Sequence, residues 1–190
     1  MKNKLTALLA LSTYIPNANA HSLSTESVGF FSGLVHPFMG LDHILAMIAV
    51  GIWSVQIGGN AIWRLPLSFI SLMIVAAFIA ASGFNVPSPE VFIAISVICL
   101  GLLLALAIRL PIKLSMLLAG LFALFHGYAH GLEMPHADSP LVYGSGFVIA
   151  TTLLHLSGIV LGKIAYRHPL LSRLSGATIA IAGLYLVTVV

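Results

Sequence analysis

Six apolar runs fill most of the 190-residue sequence, at approximately 38–57, 65–84, 91–108, 114–132, 143–161 and 174–189. Each is close to the ~20 residues that a helix needs to cross a hydrocarbon core. Charged residues make up 7% of the chain and hydrophobic ones 59%, so these runs have no polar face to turn toward water. The expected fold is an all-α integral membrane protein, a single domain over 21–190 built as a bundle of six transmembrane helices. The apolar stretch 28–35 is too short to span and ends at His36-Pro37. Because the residue before a proline avoids helical geometry, a half-helix broken from the first span at that step is expected.

Residues 1–20 read as a signal peptide that is removed: Lys2 and Lys4, a short apolar region over 5–11, then Ala18-Asn19-Ala20. Cleavage would leave His21 first, on the outer side of the membrane. An amine and an imidazole on one residue chelate a metal once the amine loses its proton near about pH 8; equally, His21 simply follows the cleavage site. With the mature N-terminus outside, Arg64, Arg109, Lys113, Lys163, Arg167 and Arg173 all fall in inner connections. The outer connections hold no Lys or Arg, as the positive-inside rule requires, and the expected location is the inner membrane of a bacterial-type cell. The pI near 9.3 comes from basic residues spread singly, which excludes a nucleic-acid surface. Cys99 stands alone in an apolar run, without a partner for a disulfide or a thiolate cluster.

Against this background two short polar motifs stand out. His126, His130 and Glu133 fall at i, i+4 and i+7, so they share one helical face at the outer end of the fourth run. His36, Asp42 and His43 open the first run, with Pro37 suited to the first position of a helix and His36 and His43 two turns apart. Both motifs lie at one depth on one side. A lone histidine in such a helix is ordinarily a packed, hydrogen-bonded residue, but four histidines and two acids in two short stretches point to a metal or proton site. Imidazole and carboxylate donors suit nickel, cobalt, zinc and copper alike. His155 sits deeper, ~18 Å below Tyr143, near the bilayer centre. With Thr151 a turn above, it serves either as a relay ligand or as a helix-to-helix hydrogen bond.

At these residues the sequence resembles the HupE/UreJ family of small membrane proteins associated with hydrogenase and urease maturation. The resemblance covers the signal, the histidine that follows it, His36-Pro37 through Asp42-His43, the stretch from His126 to Glu133 and the six runs. It implies a permease for nickel or cobalt, with His36, Asp42, His43, His126, His130 and Glu133 matching the family's two motifs. The metal is then the transported substrate and no cofactor is permanently bound. A cytoplasmic metallochaperone is a conceivable partner; nothing in the sequence speaks to self-association.

Two other chemistries use the same residues. A zinc ion held by them would activate water for hydrolysis, with Asp42 or Glu133 as base, making the chain a membrane enzyme. A haem would need histidines from both motifs, since His126 and His130 cannot reach opposite haem faces from one helix. A histidine site binds metal only through neutral imidazole, and an unperturbed imidazole titrates near about pH 6.5. Metal affinity is therefore expected to fall as the outer medium is acidified through that range; a flat profile from about pH 7.5 to 5.5 in a titration of purified protein would exclude histidine ligation.

Overall fold

The computed structural model describes residues 29–83, 86–133 and 139–190, the Glu133 side chain excepted. The described residues form seven α-helices and no strand: α1 (Phe30–Met39), α2 (Leu41–Ile57), α3 (Ala61–Ala81), α4 (Pro89–Ala105), α5 (Ile112–Glu133), α6 (Pro140–Ala165) and α7 (Pro169–Val187). Three helices, α4, α6 and α7, start on a proline, whose missing N–H is one the first turn leaves unbonded in any case. The signal peptide and His21 lie outside the described residues.

Helices α3, α5, α6 and α7 are long and apolar enough to cross a membrane, and α1 with α2 passes as one unit bent by 83°. Helix α4 is equally apolar but has 17 residues. At 1.5 Å per residue that is about 26 Å, a little short of a core of roughly 30 Å. The outward surface carries Trp63, Leu117 and Ile181, each 64% or more exposed. Such a surface belongs against lipid.

The break in the first helix falls at Gly40, not at His36-Pro37. Pro37 is inside α1, where its lack of an N–H forfeits one hydrogen bond near the end of a short helix. Gly40 is extended, with φ −97° and ψ 120°. A Cβ there would sit 2.6 Å from Asp42 Oδ1 and 2.7 Å from His43 Nδ1, so the corner needs glycine for Asp42 and His43 to fold back over it. His36 and His43 therefore stand on two helices rather than two turns apart on one.

Small residues set how closely the helices pack. Helices α3 and α5 run parallel, since the backbone of Gly127 lies on Met73 and that of Gly131 on Ala77. Helices α2 and α6 also run parallel, and a Cβ on Gly51 would strike the His155 carbonyl and come within 2.8 Å of the Gly158 Cα. Close backbone approach stabilises membrane helix pairs because lipid supplies no hydrophobic drive between them. Gly51→Leu is expected to destabilise the bundle by about 1–3 kcal/mol, the usual cost of overpacking. Gly144→Ala, where a Cβ meets nothing within 4 Å, should leave thermal stability unchanged or raised. Melting curves of the two variants in detergent check the contrast.

Candidate metal centre

The corner at Gly40 swings α1 across the end of the bundle and brings the two motifs together. The His36 ring lies 4.9 Å from that of His130 and 6.5 Å from that of His43, centroid to centroid. His43 in turn is 4.4 Å from His130 and 5.3 Å from His126. Four imidazoles from α1, α2 and α5 thus touch in sequence, with Phe147 of α6 packed 4.2 Å from His130. Among the described residues no three or more His, Cys, Asp or Glu side chains stand ready-formed around one metal position. What the fold brings together is a set of adjacent rings rather than a finished coordination sphere.

The rings of His43, His126 and His155 are held in one manner. A carbonyl oxygen can only accept, so His126 Nδ1–H donates to the Phe122 carbonyl at 3.0 Å and His155 Nδ1–H to the Thr151 carbonyl at 2.8 Å. His43 Nδ1–H donates to Asp42 Oδ1 at 2.6 Å. In each neutral ring the Nε2 lone pair is left over, and all three Nε2 atoms are buried without a hydrogen-bond partner. A buried acceptor left unmade costs about 1–3 kcal/mol, so three of them in one bundle require an explanation. An imidazole oriented through Nδ1 with a bare Nε2 is the arrangement in which histidine binds a metal. Asp42 accordingly sits behind His43 as the group that orients it.

His155 does not touch the upper cluster. Phe69 of α3, fully buried, packs against both histidines, its ring 5.5 Å from His126 and 5.2 Å from His155. The Thr151 hydroxyl, also buried without a partner, accompanies His155 on α6. A phenylalanine in an apolar run carries no sequence signal of such a position, and neither does Phe147. A cavity of about 460 Å³ reaches His130 from the side, but Met73, Phe78, Leu141 and Phe147 line it, making it a recess toward hydrocarbon rather than a water path. Of the other site residues expected from sequence, Glu133 ends α5 with its side chain outside the described residues.

The family model for HupE / UreJ protein matches residues 9–186, nearly the whole chain. The chain belongs to the HupE/UreJ family. Protein HupE from Rhizobium leguminosarum bv. viciae is 38% identical over 183 residues, which cover 95% of each chain. No solved structure matches. The bundle is thus that of a multi-pass membrane protein of this family, with the histidines of both motifs at one end. Asp42→Asn keeps an acceptor for His43 but removes the charge that stiffens the pair. It is expected to weaken divalent-metal binding by about 10–100-fold, the scale of losing an orienting partner. Titration calorimetry on purified protein measures it, and unchanged affinity would deny Asp42 that role.

Proposed function

We propose that the chain is a permease that takes up a divalent transition metal, nickel or cobalt by its family, for the maturation of a metalloenzyme. One observation carries this reading: three buried histidines from three different helices, each oriented through Nδ1 with a bare Nε2, His43 in the first turn of its helix and His155 mid-way along its own. A hydrolase at this site needs a base; Asp42 is engaged on His43, which leaves Glu133 for that role, and a histidine as deep as His155 has no part in chemistry at the mouth.

In this reading His36, His43 and His130 receive the ion from the outer medium, exchanging its water for imidazole, while Glu133 and His21 are candidates to complete the capture site. Stripping a divalent ion of ligands in hydrocarbon is prohibitive, so every step inward must end on a donor. His126 is the next donor and His155 the one beyond it. Phe69 packs against both rings, and in this reading its side chain controls passage from one to the other. The opposite end, which carries the basic residues, is the cytoplasmic one in this reading, as the positive-inside rule favours.

Uptake of radioactive nickel and cobalt by cells with and without the protein, with zinc and copper as competitors, tests the function. At matched expression, His130→Ala is expected to abolish both equilibrium binding and uptake. His155→Ala should leave binding largely intact and slow uptake strongly. Phe69→Leu, which retains an apolar filler, should raise the initial rate and admit zinc more readily. Parent-rate transport by His155→Ala would rule out the relay, and lipid or peptide hydrolysis dependent on zinc would replace the permease with an enzyme.

A further inference from the structure

The end of the bundle opposite the histidines has a cavity of about 390 Å³, lined by polar groups that include Gln56, Arg109, Tyr166, Ser172 and Arg173. Its walls are firmly held. Trp53 Nε1 donates to the Ile108 carbonyl at 3.1 Å, and the Gln56 amide donates to the same carbonyl at 3.2 Å and to that of Leu103 at 3.4 Å. These bonds tie the turn after α4 to α2 and so fix where Arg109 starts. Arg173 Nε donates to the Ala105 carbonyl at 2.9 Å, which spends one of its donors on the wall. Arginine carries five N–H donors, so the terminal nitrogens are left for another acceptor.

Among the described residues no carboxylate answers these guanidinium groups. The five acids are Glu26, Asp42, Glu90, Glu133 and Asp138. Asp42 and Glu90 stand in the first turns of α2 and α4, and Glu133 ends α5, all at the histidine end. The other described cations, Arg64, Lys113, Lys163 and Arg167, sit with Arg109 and Arg173 at the far end. The first turn of α7, which opens on the cavity at Pro169, likewise has no acidic residue and no side-chain cap. Two guanidinium groups face one cavity, both exposed at its mouth, with like charges around them and no counter-charge among the described residues, an arrangement suited to an anion from outside the chain.

We propose that this cavity binds a phosphate-bearing anion, held by Arg109 and Arg173. Paired guanidinium donors match phosphate oxygens in a way a lone ammonium does not. Next to lining residues along the chain, Leu106, Leu170 and Leu171 are each half or more exposed. The cavity therefore suits the headgroup of an anionic phospholipid whose acyl chains run on along α4 and α7. Free phosphate presents the same oxygens without the chains.

The test uses the full chain, delipidated in detergent and supplied with phosphatidylglycerol or phosphatidylcholine, with retained lipid counted by native mass spectrometry. Arg109→Gln with Arg173→Gln is compared with Arg64→Gln, which removes a charge from the same end but not from the cavity. The expected result is preferential retention of phosphatidylglycerol that falls about tenfold in the paired variant, the scale of one lost hydrogen bond to a charged group, and is unchanged in Arg64→Gln. Arg109→Lys alone, which preserves the charge, supplies the comparison if the paired variant does not fold: it should retain phosphatidylglycerol less well than the parent. Displacement of the lipid by millimolar inorganic phosphate would support the same site with free phosphate as its ligand. Equal retention of the two lipids, or equal losses in all arginine variants, would reduce the effect to general surface attraction and overturn the proposal.

Discussion

A hydrocarbon core offers the backbone no hydrogen-bond partner, and most of this structure follows from that. The chain must cross as helices that satisfy themselves internally, and any interruption has to face protein. The one sharp corner among the described residues, at Gly40, conforms: it turns inward on Asp42 and His43 rather than out to lipid. A Cβ at that corner would push the pair apart, so the backbone break and the first histidine motif are one feature.

The same scarcity of partners governs the imidazoles. A histidine in water can choose either tautomer, whereas one in this bundle takes the proton position that a nearby acceptor dictates. For His126 and His155 that acceptor is the carbonyl one turn back on their own helix. For His43 it is the adjacent carboxylate. Each choice is local, yet all three leave Nε2 as a buried lone pair without a partner. Phe69, from a fourth helix, packs against two of these rings.

Charge divides the molecule into two ends with different chemistry. The described acids and the imidazoles of the two motifs gather where α2, α4 and α6 begin; guanidinium and ammonium groups gather, with His168, where α3, α5 and α7 begin. Parallel pairing of α2 with α6 and of α3 with α5 keeps the ends distinct. A divalent cation is thus attracted at one end and repelled at the other. A donor path through the middle is useful to a cation only if something at the basic end removes or neutralises charge.

Much of this was legible in the sequence because it depends on residue type and spacing alone. Apolar runs near twenty residues dictate membrane helices, and a helix lies at each of the six runs. The spacing of His126 and His130 puts them on one face wherever that helix packs. The adjacency of Asp42 and His43 guarantees that they can bond. The position of the break was not legible: proline at 37 is the stronger local signal, but the close approach of Asp42 and His43 to residue 40 exists only in the folded corner. Nor could spacing reveal which aromatic ring packs against both His126 and His155, since one phenylalanine among many in apolar runs differs from the rest only by what packs beside it. Helix formation is decided by neighbours along the chain, which a sequence displays; which rings meet across helices is decided by small-residue contacts such as Gly127 on Met73 and Gly51 on Gly158, and these exist only once the helices are packed.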